Sequence, residues 1–147
     1  MEKMTIPEPL RALFDEPALA HVSYLNSKGQ IVTFPMWVDC DGEHLVVSSP
    51  VGSRKGKAFR ERPQVSLSIV STSNPWLWLS ASGRVVDIRP DHDLEWIDRM
   101  ALKYTGQPYQ RRTAREIFTV EIDRISPNQR ELGRWRGSSQ SSPSPAD

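Results

Sequence analysis

The stretch that decides the fold is SSPVGSRK, Ser48–Lys55. It follows the apolar residues Leu45–Val47 and opens a basic helix that Arg62-Pro63 ends. A helix N-terminus leaves four backbone N–H groups without intrahelical partners and carries a partial positive charge. Two serines before the turn and an Arg-Lys pair after it therefore predict a site for a phosphate-sized anion. A plain solvated surface helix is the alternative, because Ser53 is also an ordinary N-cap residue.

Composition limits the class of protein. The 147 residues suit one domain with a single core, and we expect that domain to span residues 1–136, followed by a disordered Ser/Pro-rich tail over 137–147. A net charge of +1 indicates neither a nucleic-acid nor a membrane partner. The single cysteine, Cys40, excludes an internal disulfide, and no Cys/His cluster has zinc-ligand spacing. With no signal peptide or long apolar run, we expect a cytoplasmic protein.

Alternating apolar and polar residues, separated by hairpin turns such as Asn26–Gly29 and Asp41-Gly42, predict six strands. These are Ala18–Leu25, Gln30–Asp39, Glu43–Ser49, Gln64–Ser71, Trp76–Arg89 (bent at Gly83) and Glu116–Ile125. Helical spacing predicts flanking helices over Pro7–Asp15 and Asp91–Tyr104. The pattern favours a mainly β fold, a six-stranded antiparallel barrel with flanking helices. The Rossmann and Walker phosphate motifs are both absent.

An ordered series of segments carries a family resemblance: Pro35–Asp39, the Asp41-Gly42 turn, the strand to Ser49, the GSRK turn and then Pro63–Leu67. This series resembles the FMN-binding split β-barrels of the pyridoxamine 5′-phosphate oxidase superfamily. Within it, the Pro35–Asp39 segment resembles the deazaflavin branch, whose members use coenzyme F420. The resemblance covers Leu19–Ile125 and implies a homodimer with two cofactor sites at the subunit interface.

The resemblance also implies which residues contact the cofactor, in two groups. The phosphate group comprises Ser48, Ser49, Arg54, Lys55 and Lys57, of which Lys57 could meet an acidic cofactor tail instead. The ring-edge group is the strand Val32, Thr33, Phe34 and Pro35, which offers backbone groups to the isoalloxazine. No catalytic side chain and no metal ligand is predicted, because the cofactor itself carries the hydride.

The expected function is therefore hydride transfer from a bound deazaflavin to a small electron-poor organic acceptor. Two alternatives stay open, namely an FMN-dependent oxidoreductase and a non-enzymatic flavin or deazaflavin carrier. Synthesis of pyridoxal phosphate is disfavoured, because Met36-Trp37-Val38 replaces basic residues and Gly133–Arg136 lacks the histidine of the substrate-phosphate motif. Trp37 is expected mainly to pack in the core, and Trp96 to pack at the dimer interface.

Overall fold

A single antiparallel sheet dominates the computed structural model, which describes residues 5–127. Its strands are β1 (Ala20–Leu25), β2 (Ile31–Met36), β3 (Asp39–Asp41), β4 (His44–Pro50), β5 (Gln64–Val70), β6 (Trp78–Pro90) and β7 (Arg115–Pro127). The helices are α1 (Glu8–Arg11), α2 (Arg54–Glu61) and α3 (Glu95–Thr105), with 3-10 turns at Ala12–Phe14 and His92–Leu94. The predicted tail at 137–147 and the Gly133–Arg136 segment lie outside the described residues.

The sheet has seven strands in the order β2-β1-β5-β6-β7-β4-β3, one more than the sequence predicts. The extra strand arises because the predicted strand Gln30–Asp39 is interrupted at Val38. There the Val38 N–H donates to the Tyr104 hydroxyl at 3.2 Å, and its carbonyl accepts from Lys103 Nζ at 2.8 Å. Side chains of α3 thus replace a neighbouring strand as the hydrogen-bond partners of Val38.

The sheet curls around one apolar core and forms a split barrel. The core collects side chains from β1, β4, β5, β6 and β7 and is closed by Phe59 of α2. Phe59 contacts Tyr24 and Phe118 edge-on, with ring centroids 5.3 and 5.1 Å apart. Gly83 marks a register shift between β6 and β7, as its predicted bend requires.

A second apolar cluster lies on the outer face of the sheet, beneath α3. It contains Val46, Leu94, Trp96, Ile97, Met100 and Ile117. Strand β4 is therefore buried on both faces, with Val47 in the barrel core and Val46 against α3. Trp96 is buried within its own chain, so its predicted role in dimer packing is wrong.

Asp91 fixes the start of α3. Its carboxylate accepts from the backbone N–H groups of Trp96 at 2.9 Å and Ile97 at 3.0 Å. The buried carboxylate thereby caps the helix and offsets its dipole. No helix in residues 5–127 is long and apolar enough to cross a membrane.

Candidate functional site

A cavity of about 270 Å³ lies where β2, β4, α2, α3 and β7 meet. Its polar wall is formed by Ser48, Lys55 and Arg115, and its apolar wall includes Pro35, Met36 and Tyr109. We call it the cation cavity; Leu19, Trp37, Trp96 and Ile97 complete its lining. It brings together three of the nine predicted cofactor residues, namely Pro35, Ser48 and Lys55.

Two cationic side chains face the cation cavity from different elements. Burial lowers the pKa of Lys55, and the nearby charge of Arg115 lowers it further. Burial also lowers the pKa of Arg115, partly opposed by Tyr109 and Asp91, while the charge of Arg111 acts in the same direction as burial. Within residues 5–127 neither Lys55 nor Arg115 forms an ion pair with a carboxylate. Two partly desolvated cations, neither paired with a carboxylate among the described residues, give the cavity a positive charge that suits an anionic ligand.

Strand alternation separates the two predicted serines. Ser48 faces α3, and its hydroxyl accepts from Arg115 Nε at 2.9 Å. Ser49 points to the opposite face, is only 1% exposed, and shares a hydrogen bond of 2.7 Å with the Ser53 hydroxyl. Ser53 caps α2 by accepting from the Gly56 N–H at 3.0 Å. Ser48 therefore lies in the cavity wall, whereas Ser49 supports the helix start behind it.

The remaining basic residues of the phosphate group point elsewhere. Arg54 and Lys57 are exposed, and neither lines the cation cavity. Arg60, one turn further along α2, pairs with Glu116. Only Lys55 extends from α2 into the cavity, where its ammonium also lies 5.1 Å from the centre of the Phe34 ring. The backbone N–H groups of Arg54 and Lys55, in the first turn of α2, have no intrahelical partner.

The ring-edge group lies on β2, which is an edge strand of the sheet. Pro35 reaches the cation cavity, and Phe34 beside it is 43% exposed and stacks on Tyr24 at 6.2 Å. The Thr33 hydroxyl shares a hydrogen bond of 2.8 Å with Ser23, and Val32 packs against the barrel core. The edge position leaves backbone groups of β2 unpaired within the sheet, as ring recognition through the backbone requires.

A second cavity, of about 360 Å³, adjoins the first and shares Trp37 and Tyr109 with it. We call it the loop cavity, after the α3–β7 loop at 106–114 that forms one wall. The Trp37 ring stacks on Tyr104 at 5.1 Å and meets Tyr109 edge-on at 5.7 Å. Trp37 is thus a wall between two cavities as well as a packed residue.

The loop is held in place by Asp98 of α3. Its carboxylate accepts from both terminal nitrogens of Arg112, at 2.8 and 3.1 Å, and from the Tyr109 N–H at 3.1 Å. The Arg112 hydrogen bonds, opposed by some desolvation, lower the pKa of Asp98. This bidentate pair holds Tyr109 at the boundary between the two cavities.

Sequence reasoning missed Arg115 and Tyr109. The 103–115 segment has no motif, and Arg115 is one of several arginines there. The sequence does place Arg115 at the start of the last strand. That position points to the site only once the pairing of β7 with β4 is known. In the sheet, Arg115 lies opposite Pro50 and two pairs from Ser48, on the same face as Ser48, which brings it to the cavity that Lys55 lines.

Known proteins share this mainly β split barrel, and they identify the class to which the chain belongs. A family model described as "Pyridoxamine 5'-phosphate oxidase" matches residues 6–129. The chain belongs to this family, whose members bind flavins, and its coarse class is that of an oxidoreductase. No curated protein matches the sequence.

Solved structures share the fold. One described as an F420 reductase is 26% identical, with a TM-score of 0.73, over 82% of this chain and 98% of that one. The conserved hypothetical protein Rv2991 of Mycobacterium tuberculosis is 17% identical, with a TM-score of 0.62, over 90% and 91% of the two chains. General stress protein 26 of Bacillus anthracis is 12% identical, with a TM-score of 0.62, over 82% and 91%. The last two show the fold alone.

Proposed function

We propose that the protein is an oxidoreductase that binds the deazaflavin coenzyme F420 and reduces a small electron-poor organic acceptor. The observation that carries the proposal is the cation cavity, where Lys55 and Arg115 face a shared space without a counter-ion within the described residues. The likeness to an F420 reductase over nearly the whole of that chain supports the deazaflavin. FMN is the second candidate, supported by the family itself.

The residues present fit a cofactor that ends in a phosphate or phosphodiester. Lys55 and Arg115 would hold the anionic group, with Ser48 orienting the Arg115 guanidinium. Pro35 and the β2 edge would lie along the ring, and Met36, Trp96 and Ile97 would keep water from it. Arg54, Lys57 and Ser49 stay predictions as phosphate ligands, and among them Ser49 can act only through the Ser53 cap.

When bound, the reduced cofactor would supply the hydride for an electron-poor double bond of the acceptor, and the balancing proton would come from solvent. The protein positions the two reactants and excludes water, which accounts for the absence of a predicted catalytic side chain. A carrier would bind the cofactor equally well but reduce no acceptor, so turnover of an electron-poor olefin under single-turnover conditions distinguishes the two.

The test is a fluorescence titration with coenzyme F420 and, separately, with FMN. We expect Lys55→Gln and Arg115→Gln each to weaken binding of the preferred cofactor at least tenfold, because a hydrogen bond to a charged group contributes about 1.5–3 kcal/mol. Arg124→Gln, an exposed charge on β7 away from the cavity, is the matched control for net charge. Unchanged affinity in both cavity variants would refute the site.

The neighbouring cation provides a sharper comparison. Arg54→Gln removes the same charge one residue from Lys55 but leaves the cation cavity lined as before. We expect a loss of affinity well below that of Lys55→Gln. Equal losses of affinity in the two variants would indicate that the phosphate binds at the start of α2, as the sequence predicts. Tighter binding of FMN than of the deazaflavin would group the protein with the FMN enzymes.

A further inference from the structure

The loop cavity has the size and lining of a site for a small aromatic molecule. Its 360 Å³ falls within the range of small-ligand pockets. Ala101 and Pro108 form apolar surface, and the Trp37 and Tyr109 rings meet at 80°. Two rings at this angle offer a face and an edge to a third ring, which is the arrangement that aromatic groups prefer.

Among the described residues that line the loop cavity, Arg111 is the only charged one. Arg111 lines the cavity together with the amide of Gln107, and among the described residues no Asp or Glu lines it. Arg111 has no ion pair within residues 5–127, whereas the adjacent Arg112 is held by Asp98. The Asp98 carboxylate is thus neutralised by Arg112 and leaves the Arg111 charge uncompensated.

The loop cavity also lies where a reaction partner of the bound cofactor must lie. It shares Trp37 and Tyr109 with the cation cavity, so ligands in the two cavities are separated only by these side chains or meet at their edges. Hydride transfer needs the reacting atoms about 3–3.5 Å apart. An acceptor site must therefore adjoin the cofactor site, as the loop cavity adjoins the cation cavity.

We propose that the loop cavity is the acceptor site and that its ligand is a planar, conjugated molecule carrying a carboxylate, with the ring against Trp37 and Tyr109 and the carboxylate at Arg111. The assignment of this ligand as the acceptor rests on the proposed function, whereas the binding site itself does not. The carboxylate is drawn toward the rim, which leaves the electron-poor part of the ligand beside the cofactor.

Calorimetric titration with 4-nitrobenzoate and with neutral, equally shaped 4-nitrobenzamide tests the proposal. We expect the cofactor-free protein to bind 4-nitrobenzoate about three- to fivefold more tightly, the size expected for an exposed ion pair. Arg111→Gln should abolish that preference, and Gln107→Glu should reverse it. Arg124→Gln should leave it intact, because Arg124 lies on the opposite part of β7.

The same variants separate this proposal from the proposed function. Lys55→Gln should weaken cofactor binding while leaving 4-nitrobenzoate affinity within twofold, and Arg111→Gln should do the reverse. Failure of the cofactor to bind, with the nitrobenzoate preference present, overturns the proposed function and leaves the loop site. No saturable 4-nitrobenzoate binding, equal affinity for the two probes, or a preference that survives Arg111→Gln overturns the loop site.

Discussion

Ser48 and Ser49 show how one residue step decides a role. Successive side chains of a strand point to opposite faces, so Ser48 meets Arg115 in the cation cavity and Ser49 meets Ser53 behind it. The family resemblance implies that Ser49 holds the cofactor phosphate with Ser48 beside it, whereas the structure turns Ser48 toward the cavity and Ser49 away from it. The sequence cannot predict these orientations, because β4 is buried on both faces and its residues do not alternate between polar and apolar.

The two serines make a matched pair of alanine variants. We expect Ser49→Ala to lower the free energy of unfolding by about 1 kcal/mol, since a buried hydrogen bond to the α2 cap is lost, with cofactor affinity nearly unchanged. Ser48→Ala should instead weaken cofactor binding several-fold, because Arg115 Nε loses its acceptor. Chemical denaturation and cofactor titration measure the two effects, and an interchange of the two phenotypes would contradict the assigned orientations.

At the level of elements, the α3–β7 loop depends on one ion pair. We expect Asp98→Asn to release this loop, seen as faster tryptic cleavage after Arg111 and Arg112 and weaker 4-nitrobenzoate binding. Asp93→Asn, an exposed carboxylate in the preceding turn, is the control. Equal cleavage rates in the two variants would show that Asp98 does not hold the loop.

The pair also sets a pH dependence. Because the pKa of Asp98 is lowered in the folded protein, its contribution to stability is fully present above the unfolded carboxyl pKa of about 3.9 and is lost as the pH falls through the lower folded value. Hydrogen exchange of residues 106–114 should therefore accelerate below about pH 4 relative to the core strands. In Asp98→Asn the loop should exchange fast already at neutral pH.

Gly83 controls the junction of β6 and β7. A Cβ there would lie 1.9 Å from the Glu121 carbonyl oxygen. An alanine would therefore force β6 and β7 apart at this point. We expect Gly83→Ala to lower the free energy of unfolding by about 1–3 kcal/mol, as overpacking does. Ser82→Ala, next to it, should change it by less than about 0.5 kcal/mol. A thermal melt in which the two variants coincide would contradict this close approach.

At the scale of the whole molecule, β2 leaves an apolar edge open. Ile31 is 75% exposed and Phe34 is 43% exposed on this edge strand, beside the proposed ring site. Such edges are commonly covered by another chain. We therefore expect light scattering to give twice the 16.7 kDa chain mass and Ile31→Lys to favour the monomer. Val86→Lys, exposed on β6, should leave the mass unchanged, and a monomeric wild type at micromolar concentration would contradict the homodimer.

The sequence by itself determined the strand series, the turn glycines and the basic helix start, because hydrophobic periodicity and turn chemistry act within a few residues. Through the resemblance of the whole series it also predicted three residues that line the cation cavity, namely Pro35, Ser48 and Lys55. Only the tertiary structure decided that Arg115 completes the cation pair, that Arg54 stays outside, and that Trp37 divides two cavities. These facts depend on the pairing of β4 with β7 across 67 residues and on α3 side chains binding Val38, and no local pattern encodes such contacts.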